Sequence, residues 1–388
     1  MKFYSFKVYD SQRKKLSYLI GFDSSKDFHN YLKKNKLILI SYKIITPKYK
    51  ILQSDILNFT KNFKTLLESG LTISTVLDIL SSQEKNNIFS SIINDIKNKI
   101  LNGKNIYLAF LEYRDVFGDT YLNLLLVGEE SGQLLKNLDK ICENIILKEK
   151  IKRDIKEAML YPSIVFVFAI LLLFFMLIFV FPSFISLFKN TNTKLPLLTE
   201  FIIFLSENIL YILLIIFFLI TGIILFFKKI SLEKSQNLKL KFPLYGKIIK
   251  KSLLINLTQN FSIMSEVGIN IIDILESLKK ATPYIFLQYE LQEIQSKIKV
   301  GNSIEEAFSL SSLLNSNQLD IISVGEKTGK LSDAFASISF IEQKELEAYL
   351  FKLTTFLQPI LLLTLGIIIG IIILAIYLPI FNISEIII

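Results

Sequence analysis

The chain has 388 residues, 51% of them hydrophobic, with a mean hydropathy of +0.47 and a formal net charge of +9. This composition suits a membrane protein with room for two or three domains. One cysteine, Cys142, excludes an intrachain disulfide, and together with one histidine, His29, it excludes an intrachain thiolate–imidazole zinc cage.

Residues 3–9 and 15–22 alternate apolar and polar around Asp10-Ser-Gln-Arg-Lys14, which predicts a hairpin. Ser24-Ser-Lys-Asp27 resembles a capping arrangement and opens a helix to about Lys34, with His29 on its solvated side. A third strand at 37–44 completes a small ββαβ module over 1–46, and basic residues around Pro47 link it onward. The start, Met1-Lys-Phe-Tyr-Ser-Phe, lacks an apolar h-region and a cleavage site, so no signal peptide is expected.

A six-helix bundle is expected over 54–157. Phe59, Phe63, Leu66 and Leu67 form an apolar stripe at helical spacing that stops at Gly70. Short helices follow at about 73–81, 88–101, 104–113 and 119–127, then a long one at 133–157 in which Cys142 reads as a small apolar filler. No charge occurs between Glu157 and Lys189, between Glu207 and Lys228, or between Lys352 and Glu385. Each gap holds the roughly 20 apolar residues that cross about 30 Å of hydrocarbon, and in lipid a helix is the expected form. Spans are predicted near 163–183, 206–227 and 358–380, within transmembrane segments 158–183, 206–227 and 356–381. A loop at 184–205, a second bundle over 229–352 and a short tail at 382–388 complete the chain.

The chain also repeats itself. Thr60-Lys-Asn-Phe63 with Gly70 returns as Thr258-Gln-Asn-Phe261 with Gly268, displaced by 198 residues. Gly103-Lys-Asn-Ile-Tyr-Leu-Ala-Phe110 returns as Gly301-Asn-Ser-Ile-Glu-Glu-Ala-Phe308, and Gly128-Glu-Glu-Ser-Gly-Gln-Leu134 as Gly325-Glu-Lys-Thr-Gly-Lys-Leu331. Each copy then enters an apolar segment opened by a proline, Pro162 or Pro359. The period is too long for a solenoid, so this is a duplicated domain. The second copy's helices are expected at 254–267, 270–280, 285–299, 303–310, 316–324 and 331–356.

Orientation follows from the flanks. Lys148, Lys150, Lys152, Arg153 and Lys156 precede the first span, Lys228, Lys229 and Lys234 follow the second, and Lys352 precedes the third. The loop between the first two spans has only Lys189 and Lys194. Residues 1–157 and 229–352 are therefore placed in the cytoplasm, with the loop and C-terminal tail outside. The duplication requires the same: the second bundle regains the cytoplasm only after an even number of crossings, and the unpaired middle span supplies the return. The positive charge around the spans reads as attraction to anionic lipid headgroups in preference to nucleic acid. Enrichment in Ile, Lys, Asn, Leu and Phe without Trp matches an AT-rich genome and dilutes propensity arguments.

Catalytic signatures are sparse. Gly325-Glu-Lys-Thr-Gly-Lys330 resembles a phosphate-binding loop, but three residues instead of four separate its glycines, Leu331 follows the lysine, and the other copy has Gln133 there. The paired turns read as helix–turn–helix: Gly128 and Gly325 end one helix, and Ser131 and Thr328 help cap the next. Glu129 and Glu326 are left as exposed acids beside a helix amino end. Three roles stay open for them: interaction with the dipole, contact with a partner, or oxygen ligation of a hard cation. Partner contact is expected to involve Gly128, Glu129, Gly132, Gly325, Glu326 and Gly329. Charge reversal at either glutamate is expected to impair coupling more than folding. The spans hold no ionisable residue, only polar ones such as Tyr211, Thr221, Thr364 and Tyr377, which disfavours a conduction path or a membrane enzyme. Gly366 and Gly370 either admit a close second helix or are two tolerated glycines.

With these parts in place, the chain resembles the inner-membrane platform proteins of type II secretion systems and type IV pili (the general secretion pathway protein F, or PilC, family). The resemblance covers nearly the whole length. It rests on Phe3-Tyr-Ser-Phe-Lys-Val-Tyr-Asp10, on Leu66-Leu-Glu-Ser-Gly70 with its echo Met264-Ser-Glu-Val-Gly268, and on the two Gly-Glu-x-Ser/Thr-Gly turns before proline-led spans. It implies an all-α integral membrane protein with two homologous cytoplasmic six-helix bundles, three transmembrane helices and the small N-terminal module. It further implies a non-enzymatic, homo-oligomeric part of the bacterial inner membrane. The implied partners are a hexameric assembly ATPase, pilins or pseudopilins, other inner-membrane assembly proteins and lipids, with no direct nucleic acid. The rival reading is an oligomeric channel or transporter component. Some family members bind calcium at a cytoplasmic-domain contact, but those ligands do not carry over to residues here, so no metal or cofactor is assigned.

Overall fold

The structure is a computed structural model describing residues 2–9, 15–22, 29, 31–33, 37–45, 51–183, 196–229 and 231–386. The predicted Asp10–Lys14 turn, the Ser24–Asp27 cap, the Pro47 linker, and Lys189 and Lys194 lie outside the described residues.

Strands β1 (Lys2–Tyr9), β2 (Lys15–Phe22) and β3 (Ile38–Ile45) form an antiparallel sheet in the order β2-β1-β3. Phe6 and Val8, two apart and so on one face of β1, are buried with Leu32 from the intervening helical stretch. His29 is exposed.

The first copy of the repeat is helical: α1 (Gln53–Glu68), α2 (Ile73–Gln83), α3 (Asn87–Leu101), α4 (Ile106–Leu111), α5 (Arg114–Phe117), α6 (Asp119–Glu130) and α7 (Leu134–Phe175). One short helix, α5, was not expected; its Val116 and Phe117 are buried, so packing holds a turn that periodicity cannot resolve in four residues. Helices α2 and α3 have amino-end caps: the Thr72 hydroxyl accepts from the Thr75 amide, and the Asn86 side chain from the Ile88 amide. The core gathers Phe59, Phe63, Phe89, Phe110, Phe117 and Tyr121 with Leu and Ile side chains from every helix of this copy but α5, which adds Val116. Each such side chain contributes about 1.5–3 kcal/mol on burial.

Between the copies lie α8 (Leu197–Glu207), α9 (Ile209–Lys229) and α10 (Leu232–Lys241). Part of the region expected as loop is thus helical. The second copy comprises α11 (Pro243–Glu266), α12 (Ile271–Ala281), α13 (Ile285–Lys299), α14 (Ile304–Phe308), α15 (Ser316–Thr328) and α16 (Leu331–Ile386). The repeat anchors occupy equivalent places. Phe63 and Phe261 are fully buried, and the Thr60 and Thr258 hydroxyls each donate to the carbonyl four residues back, at 2.7 and 2.8 Å. Phe63 packs near Phe110 as Phe261 does near Phe308, with ring centroids 6.5 and 5.8 Å apart.

The chain forms two compact units, Met1–Lys150 with Leu253–Phe340 and Ile151–Ser252 with Ile341–Ile388. In the first, the two bundles meet: Asn144 donates to Asn260 at 2.8 Å, and Lys140 pairs with Glu266 at 3.0 Å. The second holds the apolar stretches. Leu134–Ser183 and Leu331–Leu378 each contain a window long and apolar enough to cross a membrane, with mean hydropathy 3.4 and 3.0. Among the described residues, Leu197–Glu207 of α8 and Ile209–Leu219 of α9 pass the same test together, bent by 67°. Neither Pro162 nor Pro359 opens a helix; both lie inside one. The expected boundaries at 157 and 356 are not helix ends, because a proline in a long apolar helix loses one hydrogen bond without stopping the rest.

Candidate functional site

The two Gly-Glu turns are built alike. Gly128 and Gly325 do not end their helices, as the sequence led us to expect; both are buried inside them. A Cβ on Gly128 would lie 3.0 Å from Asn137 Nδ2 and 3.1 Å from Leu134 Cα, and one on Gly325 would lie 2.5 Å from Ala334 Cβ. Glycine is required because the next helix crosses there at backbone distance. The helix ends fall four residues on, at Gly132 and Gly329, both with φ of 69°. At Gly329 the Lys330 amide donates to the Gly325 carbonyl at 2.8 Å and the Gly329 amide to Glu326 at 3.2 Å, a paired closure of the last turn. Ser131 and Thr328 do not cap the following helix; their hydroxyls donate back to Val127 and Val324.

Glu129 and Glu326 are half-buried rather than exposed. The Glu129 carboxylate accepts from the Ile106 and Tyr107 amides at 2.7 and 2.9 Å. That of Glu326 accepts from Ile304 and Glu305 at 2.7 and 3.2 Å. These are the first two amides of α4 and α14, and the third is capped locally, Leu108 by Asn105 and Glu306 by Ser303. Each short helix therefore has its first three donors filled, two of them by an acid more than twenty residues downstream. Two of the repeat's sequence anchors meet at this point. What remains open to solvent is the rim: Glu130, Ser131 and Gly132 in one turn, Lys327, Thr328, Gly329 and Lys330 in the other. The scaffolds match, and the exposed charges are opposite.

Gly366 and Gly370 have no neighbour among the described residues within 4 Å of a notional Cβ. The face of α16 that packs within its unit carries Ile372, Ala375 and Ile376, against Leu177, Phe181 and Ile202. Sequence reasoning missed two polar residues there. Thr199 donates to the Ala375 carbonyl at 2.8 Å, and Ser206 to that of Leu177 at 2.7 Å, inside the π-helical turn Met176–Val180. Cys142 is buried, and burial pushes its thiol up from the usual range. Among the described residues no three His, Cys, Asp or Glu side chains gather in a metal-holding cluster.

The sequence model of the family described as "Type II secretion system (T2SS), protein F" matches this chain twice, over residues 59–182 and 257–379. The chain belongs to that family. The two matches begin 198 residues apart, the displacement of the repeat itself. Among curated proteins, the chain is similar to the type IV pilus assembly protein PilC of Pseudomonas aeruginosa, at 26% identity over 87% of this chain and 92% of that protein. It is 28% identical to the PilC of Myxococcus xanthus over 92% and 87%, and 22% identical to the type II secretion system protein F of P. aeruginosa over 86% and 84%. The T2SS protein F family consists of non-enzymatic membrane platform proteins of pilus and secretion systems, and this chain is one of them. Its apolar helices and its family place it in the inner membrane.

Proposed function

We propose that this protein couples a cytoplasmic hexameric assembly ATPase to the extraction and polymerisation of pilins or pseudopilins. It would act as a homo-oligomer crossing the inner membrane three times, with both bundles, of about six helices each, in the cytoplasm. The observation that carries this reading is that the last helix of each bundle continues without a break into an apolar segment: α7 runs from Leu134 and α16 from Leu331. A displacement of a bundle then has a covalent, hydrogen-bonded route into lipid. The bent pair α8–α9 supplies the remaining crossing, which returns the chain to the cytoplasm. Partner contact is placed at the paired turns, where Gly128, Glu129 and Gly132, and Gly325, Glu326 and Gly329, shape rims of opposite charge.

In-cell photocrosslinking from Glu130 and Lys327 tests this. Crosslinks to the cognate ATPase, with loss of secretion, piliation or DNA uptake on gene deletion, are the expected result. Crosslinks only between copies of the chain, with all three activities intact in the deletion strain, would end the proposal. Scoring the three outputs side by side also identifies which machine the platform serves.

A further inference from the structure

Where the two bundles meet there is a cleft of about 580 Å³ lined by α1, α5, α6, α7 and α12. The repeat supplies an internal comparison for its walls. In the second copy, Asn315 caps α15, its side chain accepting from the Gln318 amide at 3.0 Å. The equivalent residue in the first copy is Gly118, and no side chain caps α6. In the second copy, Glu345 pairs with Lys251 at 2.6 Å, and buried Glu342 joins them at 2.8 Å. The equivalent positions in the first copy are Lys148, Gln53 and Ile145. The first copy thus lacks a helix cap and two carboxylates that the second has, and Gly118, Gln53, Ile145 and Lys148 all line the one cleft.

Lys148 is left as a half-buried cation with no hydrogen-bond or ion-pair partner among the described residues. Burial lowers its ammonium to about 8. The other charges of the cleft largely balance: Arg114 pairs with Asp119 at 2.5 Å, and Lys280 with Glu276 at 3.2 Å. Asp115 is exposed. An uncapped helix amino end and an unpaired lysine in one polar cleft form the usual two halves of an oxyanion site.

We propose that this cleft binds a phosphate group, held by Lys148 and the amino end of α6. Its volume admits the rest of a small phosphorylated molecule. The phosphate could equally belong to a lipid headgroup, and the test separates the two sources.

The full chain is placed in phosphatidylcholine nanodiscs, and amine acetylation of Lys148 at pH 8.5 is followed by peptide mass spectrometry. Inorganic phosphate is titrated against chloride at matched ionic strength. We expect saturable protection of Lys148 of at least about fivefold, with exposed Lys327 unchanged, since an anion holds the ammonium protonated. Protection in phosphatidylglycerol nanodiscs without added phosphate assigns the group to lipid instead. Phosphate should also raise the thermal midpoint of the wild type but not of Lys148→Met. Nor should it raise that of Gln53→Lys/Lys148→Glu, which installs the second copy's ion pair and so keeps the site filled. Lack of protection by either source, or a midpoint response that persists in both variants, overturns the proposal.

Discussion

The Glu326 carboxylate sits 2.7 Å from the Ile304 amide, and its counterpart Glu129 sits 2.7 Å from the amide of Ile106. A relationship kept in both copies while the neighbouring charges diverge is the mark of a folding role. Each acid accepts two charge-assisted bonds, worth about 1.5–3 kcal/mol apiece at most. Glu129→Ala and Glu326→Ala should each lower the thermal midpoint of the purified protein by several degrees and reduce its accumulation. Glutamine, which keeps one acceptor, should recover part of the loss. Alanine variants that melt like the wild type but fail in secretion or piliation would return these residues to partner contact alone.

The close crossing at Gly325 makes a sharper prediction. A Cβ there meets Ala334 Cβ at 2.5 Å, with no flexible side chain to give way. Gly325→Ala should cost about 1–3 kcal/mol, seen in denaturant unfolding of the full chain. Ala334→Gly in the same molecule should restore most of it. The milder clash at Gly128, chiefly with the movable Asn137 side chain, should cost less.

These two cases also mark what the sequence could reveal. The duplication, the bundle helices and the buried Thr60/Thr258 and Phe63/Phe261 pairs were legible, because burial at helical spacing leaves a periodic trace. The glutamate clamps were not, since their partners are backbone amides 21 to 23 residues away and carry no side-chain signature. Nor was the placement of Gly128 and Gly325. A glycine near a helix end reads as a terminator, and only the approach of the following helix reveals that it is there for space. Thr199 and Ser206 carried no signal of their own, one in the predicted loop and one at the first position of a predicted span, whereas the fold buries both against carbonyls.

Lys99 gives the first bundle a defined pH response. It lies 2.6 Å from both Asp95 and Glu112. Burial opposes its charge, but hydrogen bonds to the two carboxylates outweigh that and raise its pKa. The Lys99 hydrogen bond chiefly lowers that of Glu112, against a smaller opposing burial effect. A raised lysine contributes stability that is complete below its unfolded value and is lost as pH climbs through the folded one. A lowered glutamate contributes stability present above its unfolded value and lost as pH falls through the folded one. Thermal midpoints should therefore form a plateau at neutral pH with a loss on each side. Lys99→Met should lower the plateau and flatten the alkaline limb. An unchanged limb would show that the triad contributes nothing.

In the apolar unit, Thr199→Val and Ser206→Ala each leave a carbonyl, that of Ala375 or Leu177, without its hydroxyl donor. Hydrogen bonds between apolar helices are worth about 0.6 kcal/mol each on average. Each single variant should lower the midpoint in detergent slightly, and the double variant by about the sum, since the two bonds share no residue. A loss confined to Ser206→Ala would make the π-helical turn the more dependent feature.

The three-crossing arrangement is open to direct labelling because the only native cysteine is Cys142. It is buried, and burial raises its thiol, so it should react slowly with maleimide at pH 7.4. New cysteines then report without background. Ser131→Cys and Thr328→Cys, on the exposed turns, should be blocked by an impermeant maleimide only after the membrane is opened. Lys189→Cys should be blocked in intact spheroplasts. If Ser131 and Thr328 label from opposite sides, the bent α8–α9 pair does not complete a crossing, and the two bundles face different compartments.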